Sequence, residues 1–198
     1  MNNSRICELV CTRISHDIVG NIGAVANAVE LLEEDDLDFM DDIKSILKTS
    51  SQTLTARMKF FRLAFGLGNT GLTNNDVVFK TTQDYLHTLG NKDYPITLKM
   101  SVCENNQRSA MLMVMAIADI LIRGGEISVF EQNNRLICSI DSSLKISSDK
   151  LEKIYNTVNG MSEPNDAAMA PVWFLTEQND NIKISLVQTA DFIQLVME

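Results

Sequence analysis

The 198-residue chain has little that would stiffen or staple it, with three prolines, one tryptophan and 6% aromatic residues. Basic side chains are outnumbered by acidic ones, 17 to 26, giving a net charge of −9. Phosphate binding along a nucleic acid needs a basic face, so nucleic acid is excluded as a partner. The acid excess is concentrated: seven of the ten residues from Glu33 to Asp42 are Asp or Glu. That run reads as a solvated turn feeding a helix N-terminus. The longest apolar run, Ala110 to Ile122, is too short to span a bilayer and contains Asp119. The N-terminus lacks a basic segment followed by an apolar one, so no signal peptide is read and the expected location is cytoplasmic, with no membrane partner. Four cysteines, Cys7, Cys11, Cys103 and Cys138, form no zinc spacing. They read as small core residues in a reducing cytosol. Glu126, Glu131 and Asp141 show no pairing that sequence establishes, so no metal site is expected.

What is present is a core's worth of apolar residues, 45% hydrophobic against 22% charged. Two halves differ in character. Residues from about Ser4 to Glu34 read as one long helix. Cys11, Ile14, Ile18, Ile22, Val25, Val29 and Leu32 recur at spacings of 3, 4, 4, 3, 4 and 3, the helical period. A second helix, about Asp38 to Phe65, carries Phe39, Ile43, Ile46, Leu47, Leu54, Met58 and Phe61 on one stripe, with Asp36 or Asp38 as its cap. The short acidic link implies an antiparallel hairpin. A hairpin cannot bury so wide an apolar face alone, and two chains forming a four-helix bundle is the economical solution. The Gly/Asn/Thr stretch from Gly66 to Asn75 is the best boundary, dividing the chain into residues 1–68 and 74–198.

The second half mixes both periods. Helices are expected at Asp76 to Leu89, Gln107 to Ile122, Ser148 to Val158 and Ala167 to Glu177. Strands are expected at Ile96 to Val102, Glu126 to Glu131, Arg135 to Asp141, Ile182 to Gln188 and Phe192 to Met197, with a hairpin at Gln132-Asn133-Asn134. The sum is an α+β chain: a helical hairpin, then an α/β sandwich with helices over one face of a mostly antiparallel sheet. Met111, Met113, Met115 and Trp173 read as core, and His87 as a partly exposed helical residue.

One short segment carries chemistry. Arg13-Ile14-Ser15-His16-Asp17 places a histidine on the side of the first helix opposite its apolar stripe, which falls roughly 160° to 240° away on an ideal helix. A neutral imidazole on an exposed face can attack an acyl phosphate and carry the phosphoryl group as a phosphoramidate. Asp17 would orient the ring or handle its proton. Arg13, at i−3, could reach phosphate oxygens. Gly20 and Gly23 remove side chains where another protein would approach, and Thr12 and Asn27 lie on the same side. An ordinary surface histidine among ordinary charges is the alternative from helix geometry alone.

The motif Arg13-Ile14-Ser15-His16-Asp17, then Gly23-Ala24-Val25, then Glu30-Leu31-Leu32-Glu33, resembles the bacterial histidine phosphotransferases of the ChpT family. Phe60-Phe61-Arg62-Leu63-Ala64-Phe65-Gly66 looks like that family's second-helix ending, and a weaker likeness runs through Arg108 to Gly125 and Pro171-Val172-Trp173. The resemblance implies a homodimer with the core of a sensor histidine kinase and a degenerate ATP-binding domain. It implies relay of a phosphoryl group from the receiver domain of a hybrid histidine kinase to the receiver of a response regulator, CtrA-like in kind. His16 matches the phosphorylated histidine and Asp17 the acid beside it; Arg13 matches the arginine of the motif. No resident cofactor is implied, since the receiver brings Mg²⁺. The family often has proline five residues after the histidine, where this chain has Asn21.

An ATP-binding kinase domain needs an Asn-bearing helix for magnesium and phosphates. The candidate, Gln107 to Ile122, contains no Asn. Asp141 ends a strand as a nucleotide-contacting Asp would, but Ser142-Ser143-Leu144 follows it in place of a glycine loop. ATP is therefore expected to be neither bound nor hydrolysed. The competing readings are an ATP-dependent kinase core and a non-catalytic dimeric adaptor that docks receivers.

Overall fold

The computed structural model describes residues 3–33, 39–66, 74–177 and 182–198. It is an α+β fold of six α-helices and five strands among those residues. Helix α1 (Asn3–Glu33) and helix α2 (Met40–Phe65) form an antiparallel hairpin. Helix α1 runs unbroken through Asn21, whose backbone N–H lets the helical ladder continue where a proline would interrupt it. The acidic link, including Asp36 and Asp38, lies outside the described residues; the residue preceding α2, Phe39, makes no side-chain cap.

The remainder is a sheet with helices on one face. Helix α3 (Asn75–His87) starts where the Asn74 carboxamide accepts from the Asp76 and Val77 N–H groups. Strand β1 (Ile96–Ser101) leads into helix α4 (Gln107–Ile120). Gly124, at φ +65°, lets the chain turn against the Tyr94–Pro95 backbone, where a Cβ would lie 2.4 Å from the Pro95 carbonyl oxygen. Strands β2 (Gly125–Gln132) and β3 (Arg135–Asp141) form a hairpin. Asn133 and Asn134 sit at φ 52° and 60°, the left-handed pair that a two-residue type I′ turn requires. Helix α5 (Ser148–Val158), capped by Ser147, and helix α6 (Ala170–Glu177) precede strands β4 (Ile184–Gln188) and β5 (Phe192–Met197). The strand order is β1-β2-β3-β5-β4, with only β1 and β2 parallel.

The core lies between the sheet and α4. Twelve of the fourteen α4 residues are buried, Met111, Met113 and Met115 among them. Ile127 and Val129 of β2, Leu136 and Cys138 of β3 and Leu195 of β5 meet this layer, and Trp173 is buried in the same cluster. Met fits such a gap because three rotatable bonds let it adapt.

The hairpin differs from its sequence reading. The face of α1 buried within the chain is Ile6, Leu9, Arg13 and Ala28, rotated from the expected stripe toward His16. Leu9 reaches the core because α6 and the turn before it pack on that side. Ile22, Val29 and Leu32 remain 51%, 43% and 37% exposed. Cys7, Cys11 and Cys103 are exposed and only Cys138 is buried, so the reading of all four as core residues is corrected. No helix among the described residues is long and apolar enough to cross a membrane.

Candidate functional site

His16 sits midway along α1 with its side chain 84% exposed. It is solvated because the chain buries neighbouring positions of the helix and leaves this one outward. Asp17 Oδ1 lies 3.5 Å from His16 Nδ1, the outer limit of a hydrogen bond. The other oxygen, Oδ2, accepts from Arg13 Nε at 2.8 Å. Adjacent helical residues point about 100° apart, so the contact depends on how the Asp17 carboxylate is held.

Arg13 does the holding. Its Nη1 and Nη2 donate to Asp119 Oδ2 and Oδ1 at 2.5 and 2.9 Å, a two-pronged pairing. Asp119 lies near the end of α4, and Lys150 Nζ of α5 donates to its backbone carbonyl at 2.9 Å. Burial opposes the Arg13 charge. The hydrogen bonds and charge of Asp119, with smaller contributions from Tyr85 and Asp17, outweigh it and raise the guanidinium above its ordinary value. Arg13 is thus a permanent cation, 7% exposed. This corrects the expectation that it reaches phosphate: its donors are engaged by two carboxylates and, at 3.4 Å, by the Ala168 carbonyl, and it faces inward because Leu9 draws that side of α1 onto the core.

A second arginine fixes the backbone. Arg57 of α2 donates from Nη1 to the Asp17 carbonyl and from Nε and Nη2 to the Thr88 hydroxyl and carbonyl, the latter two at 3.1 and 3.2 Å. The turn of α1 carrying His16 is therefore tied to the end of α3 as well as to α4. A cleft of about 320 Å³ opens beside it, lined by Thr12, Arg13, His16, Asp17, Asp119, Lys150 and Asp166. Lys153 pairs with Asp166 at 3.2 Å on its far side. A larger groove of about 680 Å³ runs along the hairpin, lined by Val10, Ile14, Leu54, Met58, Phe61 and Phe65 among others. It is almost wholly apolar.

Thr12, Gly20, Gly23 and Asn27 are exposed on α1 with His16. A Cβ at Gly20 or Gly23 would meet nothing within 4 Å, so no packing inside this chain demands glycine there. Asp119, Lys150, Asp166 and Arg57 were not among the expected site residues. Asp119 had a signal: a lone carboxylate inside an apolar helix must find a partner. Nothing in the sequence said that the partner was Arg13, 106 positions away.

No family model matches the chain. Its whole length superposes on 98% of a solved bacterial phosphotransferase, with a TM-score of 0.76 and 26% sequence identity. A stretch of 58 residues is 45% identical to the protein phosphotransferase ChpT of Brucella abortus (strain 2308). Over that stretch the chain is similar to ChpT. That stretch is 29% of this chain and 27% of the Brucella protein, so the aligned part spans about a quarter of the relative's length. The exposed His16–Asp17 pair thus stands on a fold shared with a solved bacterial phosphotransferase.

Proposed function

We propose that this chain is a histidine phosphotransferase, relaying a phosphoryl group from the receiver domain of a hybrid histidine kinase to a CtrA-like response-regulator receiver through phospho-His16. The observation that carries this reading is an 84% exposed imidazole with a carboxylate oxygen 3.5 Å from its Nδ1. A proton on Nδ1, facing Asp17, leaves the Nε2 lone pair turned outward. Nε2 attacks the phosphorus of the donor's aspartyl phosphate. The P–O bond breaks with its electron pair going to the donor carboxylate. The Nδ1 proton stays, so the ring becomes a phospho-imidazolium whose charge Asp17 faces. The reverse displacement passes the group to the acceptor aspartate. Charge on the transferring oxygens would be met by Mg²⁺ held in the receiver.

Thr12, Gly20, Gly23 and Asn27 form the receiver-facing surface, and the two glycines keep it low. The exposed side of α1 and the hairpin groove are the homodimer interface, completing a four-helix bundle with residues 1–68. Residues 74–198 act as a degenerate ATPase-like unit. Two features support the absence of ATP chemistry. Helix α4 has no Asn and almost no uncovered surface. Asp141 Oδ1 accepts from Ser143 N and Oγ at 2.8 and 2.6 Å, tying it into its own turn. Gly66, Gly68 and Gly71 do have phosphate-loop spacing, but they follow a helix and not a strand.

His16→Ala tests the reading. The variant keeps its far-ultraviolet spectrum and oligomeric state, because the side chain packs on nothing. It accepts no phosphoryl group from a phosphorylated receiver, whereas the parent acquires an acid-labile label. Transfer to the variant would overturn the assignment, and self-labelling of the parent with ATP alone would replace it with a kinase.

A further inference from the structure

We propose that Asp119 is a positioning residue for phosphoryl transfer at His16, acting through Arg13 and Asp17. The proposal rests on the function inferred above. It starts from the placement of Asp119, the one acidic residue in a helix with twelve of fourteen residues buried. A carboxylate there is costly unless paired. Its partner is a guanidinium whose five donors lie in one plane.

Geometry then passes from one group to the next. Asp119 takes one N–H each of Nη1 and Nη2 of Arg13, Nη1 also reaches the Ala168 carbonyl at 3.4 Å, and in this fixed plane Nε is the donor that meets Asp17. A single N–H can engage only one carboxylate oxygen well, and it engages Oδ2. Oδ1 is left turned toward His16 Nδ1. Without Asp119 the guanidinium would lose the fork that fixes its plane, keep only the 3.4 Å Nη1 contact with the Ala168 carbonyl at that end, and be free to turn. It would close a fork on both Asp17 oxygens, the preferred arginine–carboxylate geometry, and Oδ1 would leave the imidazole. The ring would then lose the acceptor that holds its proton on Nδ1, and with it the outward lone pair on Nε2. Asp119 touches neither the ring nor the phosphoryl group. It occupies one end of the guanidinium so that the other end can make a one-sided contact. A residue of the sheet region thereby sets the protonation pattern of a histidine on the hairpin.

The test uses the full chain, a phosphorylated receiver and Asp119→Asn. Maximal transfer rate falls about tenfold to a hundredfold, the range met when a group orienting a functional histidine is removed. The receiver concentration giving half that rate stays the same, because docking does not involve Asp119. Ring ¹⁵N shifts of His16 report the mechanism directly. In the parent the neutral ring carries its proton on Nδ1; in the variant the two tautomers mix. Arg13→Lys offers a variant that keeps a charge between the carboxylates and loses the fork; it shows the same mixing. A parent His16 protonated mainly on Nε2 overturns the proposal whatever the variants do. So does an Asp119→Asn protein that loses rate only in proportion to its unfolded fraction with its ¹⁵N pattern unchanged, since Asp119 would then be structural alone. Failure of the function itself looks different: His16→Ala would still accept phosphoryl.

Discussion

Helices α4 and α1 are both rich in apolar residues, yet α4 buries twelve of fourteen side chains while Ile6, Leu9, Arg13 and Ala28 are the buried ones described in α1. The difference lies in what surrounds each. Helix α4 is enclosed by the sheet, by α3, α5 and α6 and by the end of α2. Helix α1 has α2 along one side and α6 at one end, and the rest of its apolar surface faces outward. Hydrophobicity of a segment therefore fixes that it will be covered, but the covering can come from the same chain or from a second copy. The sheet region finishes its core internally. The hairpin leaves Val19, Ile22, Val29, Ile46 and Met58 at 40% to 62% exposure, an apolar surface in search of a partner.

The largest expected effect separates the two helices. Leu112, at 0% exposure in α4, should cost about 2–5 kcal/mol when cut to alanine, through lost burial and the cavity left behind. Ile22→Ala should leave the stability of the isolated protomer within about 0.5 kcal/mol. Urea unfolding at low protein concentration measures both. Equal losses at the two positions would break the comparison, because Ile22 would then be packed within its own chain.

The next effect concerns association. Ile22→Asp together with Val29→Asp places two charges on the outward side of α1. The dissociation constant of the proposed dimer should rise about a hundredfold or more, as when anchors at the centre of an interface are lost. Light scattering behind a sizing column reads the change, while circular dichroism shows the sheet region still folded. A pair of substitutions that leaves the mass unaltered would take the outward side of α1 out of the proposed interface.

Much of this was legible in the sequence where the pattern was local. The apolar run of α4, the turn at Asn133-Asn134 and every strand of the sheet follow from short-range signals. The exposed histidine was legible for the same reason, since its direction depends on α1 alone. What the sequence hid was non-local. The buried side of α1 turned toward His16 because α6 and the turn before it pack there, a fact that no window of α1 contains. Arg13 looked free beside His16 because its partner Asp119 stands in another element. Arg57 gave no sign of its reach to the Asp17 carbonyl.

Tyr85 offers the smallest and sharpest test, at the seam of the two regions. Its ring stacks on Phe60 of α2, with centroids 3.9 Å apart and planes 12° from parallel. Its hydroxyl is buried with no hydrogen-bond partner among the described residues. Burial, aided by the charge of Asp119 and opposed by that of Arg13, raises its pKa above the ordinary 10.0. The folded state thus holds the phenolic proton more tightly than the unfolded chain does. That contribution to stability is fully present below pH 10.0 and is lost as pH climbs beyond it. In the parent protein, the phenolate absorbance of Tyr85 should therefore appear together with alkaline unfolding and not before it. Tyr85→Phe keeps the stack and removes an unpaired polar atom, so stability near neutrality should be unchanged or raised by up to about 1 kcal/mol, and alkaline unfolding should move to higher pH. A loss of more than about 1 kcal/mol would mean that the hydroxyl holds a polar link across the seam. The two regions would then be joined there by more than apolar contact, with a further polar tie beside the Arg13 and Arg57 clamps.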